Sequence, residues 1–234
     1  MSTVEKFPSV GRQPPATSRG GSAADSGPLR AEDMVNLYRS ILDALPAATC
    51  RIIEITAATR GEGVSTVVRS LAETASSMAN ARVLVCDLTP EHDTLRYIGV
   101  SPQASLNDVA TGSADLRQAI ENVPDRSFAL CAANDPSPGV HVAVNLDILD
   151  PVLAEIRKQF DLVLFDAPAI SRGILGPALA KKADGVILVV EAEQTRVPVV
   201  SEAQRIIEVN GGQLLGVVLN KRRFYVPRWL YRWI

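Results

Sequence analysis

The sequence predicts an α/β domain built on a doubly wound, mainly parallel sheet with flanking helices, and three observations predict it. Short apolar runs alternate with helix-competent stretches along most of the chain. One run, Arg51 to Ile55, leads into Thr56-Ala-Ala-Thr-Arg-Gly-Glu-Gly-Val-Ser-Thr66, and the helix-competent run Val67 to Met78 comes next. Two further runs, 81–87 and 161–166, end in Asp87 and Asp166. A sheet of this class binds ligands at the carboxyl ends of its strands. The glycine loop and both aspartates are therefore expected on one edge.

Residues 1 to 30 are rich in Pro, Gly, Ser and Thr without periodicity, which predicts a disordered tail. From Ala31, the residues Met34, Leu37, Tyr38, Ile41 and Leu45 recur at helical spacing, so a helix should end before Pro46. After the loop helix, Ala81 to Asp87 reads as a strand, residues 101–112 as a short helix, 114–123 as a second helix, and Phe128 to Ala133 as a strand. A Pro/Gly loop through Pro138 and Gly139 precedes a helix over 146–159. Asp161 to Asp166 is a buried-type strand, 173–182 is helical, 185–190 a strand, 199–209 a helix and 214–219 the last strand. Residues 31–221 are thus read as one domain, and 222–234 as a separate basic, aromatic segment.

Composition narrows the function classes. With 234 residues, 47% of them hydrophobic, the chain is long enough for one sizeable core. A net charge of −2 gives no overall attraction for nucleic acid or an anionic membrane. Cys50, Cys86 and Cys131 show no CxxC spacing and read as reduced core thiols, suiting a cytoplasmic protein. His92 and His141 are isolated and carry no metal-ligand pattern. No run approaches the ~20 apolar residues of a spanning helix.

The chemistry lies in the loop. Gly61 and Gly63 allow backbone N–H groups to approach phosphate oxygens, and the helix after them presents its positive end. Ser65 is placed to reach Mg²⁺ through its hydroxyl. Against the phosphate-loop pattern [AG]-x-x-x-x-G-K-[ST], the segment from Ala58 to Ser65 departs only at Val64, where lysine is expected. Asp87 and Asp166 facing this cradle suit a Mg²⁺-nucleotide site, one holding the metal directly or through water and the other acting on a nucleophile. The alternative for each is that it only caps its own loop.

At this point the chain resembles the cytoplasmic domain of the bacterial tyrosine kinases of exopolysaccharide and capsule synthesis, within the Min- and Par-type P-loop ATPases. The carriers are RGEGVST, VLVCDLT, SLNDVATG, FDLVLFDAP, DGVILVVEAEQTR and LLGVVLNKR, in that order between Ala31 and Lys221. The resemblance implies ATP or ADP with Mg²⁺ as ligand. It implies that Arg60 to Thr66 form the nucleotide loop: Gly61, Glu62, Gly63 and Val64 wrap the β-phosphate, Ser65 binds Mg²⁺ and Thr66 meets the α-phosphate. Asp87 would lie beside the transferred phosphate as catalytic residue and metal ligand, Asp166 would support Mg²⁺ and catalysis, and Asn220 would contact adenine. It further implies a membrane polysaccharide co-polymerase of the chain-length determinant type as partner, assembly into homo-oligomers, and a cytoplasmic place at the inner membrane.

Three departures bear on catalysis. Val64 supplies no ammonium, with neighbouring Arg60 the substitute at hand. Thr89 stands where the second motif normally has its second aspartate, and only Tyr225 and Tyr231 lie in the tail that such kinases phosphorylate. Loss of one transition-state donor costs about 10²–10³ in rate, and loss of an acid–base group about 10²–10⁴. Against a kinase turnover of ~1–100 s⁻¹, little activity would remain. Binding should survive, weakened. The expectation is a kinase-like regulator, or pseudokinase, of exopolysaccharide synthesis and export. The alternatives are an active autokinase using Arg60 and a Min/Par-like positioning ATPase, the latter disfavoured because Thr59 occupies the place of that class's signature lysine. The tail from Lys221 to Ile234 interleaves five basic with five aromatic residues. It suits a membrane surface or a partner, then packing on its own domain, and least of all nucleic acid.

Overall fold

The computed structural model describes residues 4–5, 30–123, 126–134 and 148–221. Eight strands form one sheet: β1 (Val4–Glu5), β2 (Arg51–Ala57), β3 (Val83–Asp87), β4 (Glu121–Asn122), β5 (Phe128–Ala132), β6 (Leu162–Asp166), β7 (Gly185–Glu191) and β8 (Leu214–Asn220). Their order is β1-β8-β7-β2-β6-β3-β5-β4. The six from β8 to β5 run parallel, while β1 and β4 pair antiparallel at the edges. This is the doubly wound sheet that the alternation of apolar runs predicts.

Helices cover both faces, so the parallel strands are buried on both sides and read as unbroken apolar runs. On one face α1 (Ala31–Ala44) and α2 (Val64–Ala79) pack Met34, Leu37, Ile41 and Leu71 against Ile53, Ile55, Val85 and Leu164. On the other, α6 (Asp150–Gln159) and the short α4 (Leu106–Ala110) and α5 (Leu116–Ala119) cover Ile52, Leu84, Cys86, Val163 and Phe165. The helix α8 (Val197–Val209) buries Val200, Ala203 and Ile207 on Val186, Leu188 and Val190. Each fully buried side chain of this size contributes about 1.5–3 kcal/mol. All three cysteines are free and buried.

Several elements differ from the sequence reading. The six-residue helix α3 (Asp93–Ile98) was not foreseen, and it matters for the site. The end of the stretch read as a helix over 114–123 is strand β4, because α5 stops at Ala119 and its successors pair with β5. Residues 101–112 contain only the single helical turn of α4, closed by the reciprocal Ser105–Asp108 capping box. The stretch 173–182 splits into α7 (Leu175–Leu179) and a 3₁₀ turn, Ala180–Lys182. Within the segment expected to be a disordered tail, Val4 and Glu5 pair with Val218 and Val217. The Pro/Gly loop through Pro138 and Gly139 and the tail from Arg222 onward lie outside the described residues.

Candidate nucleotide-binding site

The loop between β2 and α2 reaches its shape through two glycines. Gly61 and Gly63 have φ of 89° and 96°, where other residues are strained. Gly63 is required twice over, since a Cβ there would stand 2.2 Å from the Asn220 amide nitrogen. Gly63 is also the N-cap of α2, and no side chain caps the N–H groups of its first turn. Those groups have no intrahelical acceptor, and the first turn carries no acidic residue. The result is an open, positive helix end at the carboxyl edge of the sheet, as an anion requires.

Three neighbours pin the loop. The Glu62 carboxylate is buried and accepts from the Thr59 N–H at 2.8 Å, from the Glu191 N–H at 3.4 Å and from the Thr195 hydroxyl. The Asn220 amide nitrogen donates to the Glu62 carbonyl at 2.8 Å, and its oxygen accepts from the Lys221 N–H at 2.9 Å. Lys221 donates to the Gly61 carbonyl and pairs with Glu191. Beneath the loop, Thr56 donates to the Pro168 carbonyl at 2.8 Å.

Beside the loop opens a cavity of about 300 Å³, whose wall includes Gly63, Ser65, Thr66, Arg69, Thr89 and Asp166. Here the Ser65 hydroxyl donates to Asp166 at 3.2 Å, and the Thr94 hydroxyl donates to the other Asp166 oxygen at 2.7 Å. Burial first, and then the nearby Asp87 charge, push the Asp166 carboxyl up to about 7. Asp87 is its in-register neighbour on β3 but is spent otherwise. One Asp87 oxygen accepts from the Thr89 N–H at 3.1 Å and the Thr89 hydroxyl at 2.6 Å, the other from the N–H groups of Thr94 and Leu95 at 2.9 and 3.0 Å. Asp87 thus holds the start of α3. Desolvation outweighs these bonds and keeps its carboxyl above the usual range.

Residues 50–209 match the family model described as AAA domain. The chain belongs to this AAA-domain family. Its relatives carry the motif resemblance to bacterial tyrosine kinases. It is 27% identical over 175 residues to the tyrosine-protein kinase CpsD of Streptococcus agalactiae, covering 73% of this chain and 74% of that one. It is 25% identical over 195 residues to the succinoglycan biosynthesis transport protein ExoP of Rhizobium meliloti, covering 82% of this chain and 25% of that one. In structure it is similar to the kinase domain of the Escherichia coli tyrosine kinase ETK, with a TM-score of 0.71 and 21% identity over 84% of this chain and 78% of that one. A cobyrinic acid a,c-diamide synthase from Mycobacterium smegmatis with bound ADP and magnesium gives 0.59 at 23% identity, over 72% and 73%.

Within this AAA-family domain, Gly61, Gly63, Val64, Ser65, Thr66 and Asp166 meet at one cavity, whereas Asp87 lies behind its wall and Glu62 and Asn220 brace the loop. Arg60 reaches the cavity with a side chain 70% exposed, and it stands 3.6 Å from Glu91, which Arg172 also binds at 2.7 Å. The wall residues not foreseen include Arg69, Glu91, Tyr97 and Arg172. Thr94, which bridges the two aspartates, was also missed. For Arg69 a signal existed, because it lies four residues after Ser65 and so on the same helix face. Thr94 had none, as it lies outside every motif. Among the described residues no helix is long and apolar enough to cross a membrane.

Proposed function

We propose that this chain is a nucleotide-binding, kinase-like regulator of exopolysaccharide or capsule synthesis and export, with phosphotransfer slow or lost, working beside a membrane co-polymerase of the chain-length determinant type. One observation carries the reading: the uncapped start of α2 and the Ser65–Asp166 pair are kept, while position 64 lacks a cation and Asp87 is turned into the fold. The polysaccharide context rests on the named relatives, CpsD and ExoP. Homo-oligomers and a membrane-surface contact through the C-terminal segment belong to the same proposal.

In this reading the loop N–H groups bind the phosphates, the Ser65 and Asp166 oxygens orient the ligand's metal side, and Thr66 meets the α-phosphate. Hard oxygen donors of this kind, beside a buried carboxyl whose charge lacks a bonded cation, fit Mg²⁺. Mg²⁺ bound there would neutralise phosphate charge. Asn220 is assigned the adenine side of the loop. Asp87 acts from behind: it fixes α3 and, through Thr94, the orientation of Asp166. Thr89 offers a hydroxyl that donates to Asp87, so it provides no second carboxylate for a nucleophile.

The competing reading, an active autokinase using Arg60, has in its favour that Arg60 lines the cavity. Purified full chain incubated with ATP and Mg²⁺ decides: phosphotyrosine and phosphate release should stay at least about 100-fold below ordinary kinase turnover. Turnover on the order of 1 s⁻¹, abolished by Asp166→Asn, would establish the autokinase instead.

A further inference from the structure

Val64 removes the loop's cation, yet the cavity is not without one. Arg69 lies one helical turn beyond Ser65, on the cavity side of α2. Its guanidinium is stacked over the Tyr97 ring, 4.0 Å from the centroid. One nitrogen donates to the Thr94 hydroxyl at 3.3 Å and another to the Thr66 hydroxyl at 3.4 Å. Both distances are long and both acceptors are neutral; Thr66 lines the cavity, and Thr94 binds Asp166 from behind it.

The other arginines of this wall are committed. Arg60 and Arg172 share the single carboxylate of Glu91, whereas Arg69 has no carboxylate at ion-pair distance among the described residues. Partial burial disfavours its charge, and the Asp166 and Asp87 fields only partly offset this. A half-buried guanidinium fixed by ring stacking, with donors spent on weak neutral partners, is pre-organised for an oxygen anion.

We propose that Arg69 is the relocated cation of the phosphate site: its fork binds a phosphate oxygen of a nucleoside di- or triphosphate, doing from the second turn of α2 what lysine at position 64 would do from the first. This rests on the nucleotide-binding reading above. The Thr66 and Thr94 contacts hold the fork in place until the phosphate arrives, and Tyr97 sets its plane.

Calorimetric titration of the full chain with ADP and with inorganic pyrophosphate tests this. Arg69→Met should weaken both ligands by about 10- to 100-fold, a larger loss than Arg60→Ala produces. Arg69→Lys should fall between. The deciding arm is Arg69→Met combined with Val64→Lys, which should recover most of the lost affinity, since it restores an ammonium without restoring the Tyr97 stack. ADP binding by Arg69→Met equal to that of the unaltered chain overturns the proposal. So does a folded double variant, judged by its melting curve, that recovers nothing, since Arg69 would then serve packing alone. If the unaltered chain binds no ADP, the nucleotide reading falls by itself. Pyrophosphate then decides on Arg69: binding lost in Arg69→Met upholds an anion site, and no pyrophosphate binding ends the proposal.

Discussion

Asp87 and Asp166 end adjacent parallel strands at the same register, after apolar runs of the same kind, and they meet opposite fates. Four donors from its own chain surround the first, which lies behind the cavity wall. Two hydroxyls bind the second, which stands in that wall. The difference comes from the residues just beyond each strand. After β3, Thr89 folds its hydroxyl back and α3 directs two N–H groups at the carboxylate. After β6, the chain continues through Ala167 and Pro168 and leaves Asp166 facing Ser65. A strand-end aspartate therefore becomes a ligand site or an internal cap according to the donors its next few residues supply. Glu54, in the middle of neighbouring β2, completes the series: it is fully buried, and among the described residues neither oxygen has a hydrogen-bond partner.

Removing these carboxyls should separate them in size and in sign. Asp87→Ala has the largest effect, because it strands buried N–H groups and frees α3. It should destabilise the chain by about 3–5 kcal/mol in urea unfolding, and a loss below about 1 kcal/mol would mean that the four bonds do not anchor α3. Glu54→Leu should act in the opposite direction and stabilise by about 2 kcal/mol. Burial holds the Glu54 carboxyl well above its ordinary value, so its contribution is present in acid and is lost as pH rises. The gain from Glu54→Leu should therefore be larger at pH 8 than at pH 5, and equal gains at both would contradict a buried, unpartnered carboxyl.

Asp166→Asn should have a smaller effect with a clear pH signature. The folded carboxyl titrates near 7, above its unfolded value of 3.8. Its favourable contribution is full below the unfolded value and lost as pH rises through 7. Without nucleotide, the Asn variant should thus melt higher than the unaltered chain at pH 8, by roughly 2–4 °C per kcal/mol, and the difference should shrink toward pH 4. Mg²⁺-dependent ADP affinity should rise more steeply from pH 6 to pH 8 in the unaltered chain than in Asp166→Asn, where only the ligand's own phosphate titrates, as titration at the two pH values would show. The smallest effect falls on Thr89→Val, which removes one hydroxyl donor to Asp87 and should cost about 1 kcal/mol in the same urea assay. A cost equal to that of Asp87→Ala would place the anchoring in Thr89 rather than in α3.

The fold was legible because burial on both faces writes most of the parallel strands as continuous apolar runs, as in 162–165 and 185–190. The short helix α3 and the two-residue edge strand β4 were not. In α3 only Leu95 is both apolar and fully buried, and β4 is two residues whose pairing is visible only from β5. The cradle was legible for a different reason: glycines at 61 and 63, with Ser65 two places on, satisfy a local geometric demand that leaves few other residue choices. Asp166 and Asp87 looked alike because the donors that separate them come from Thr89, which the motif marks only as a missing carboxylate, and from residues 94 and 95, outside any pattern. Glu62 and Asn220 fall in the expected neighbourhood, yet their polar atoms bind the loop itself. Arg69 was not legible because the phosphate-loop pattern places its cation in the loop, where Arg60 lies, whereas Arg69 stands on the helix face that begins at Ser65.

The cradle is proposed to take a nucleotide although its catalytic surroundings are altered. Titration of the purified full chain with fluorescent ATP in the presence of Mg²⁺ tests it most directly. A saturable curve is expected, with a Kd at or below about 0.1 mM, tightened by Val64→Lys. Absence of saturation up to about 1 mM, in a chain whose melting curve shows it folded, would contradict it.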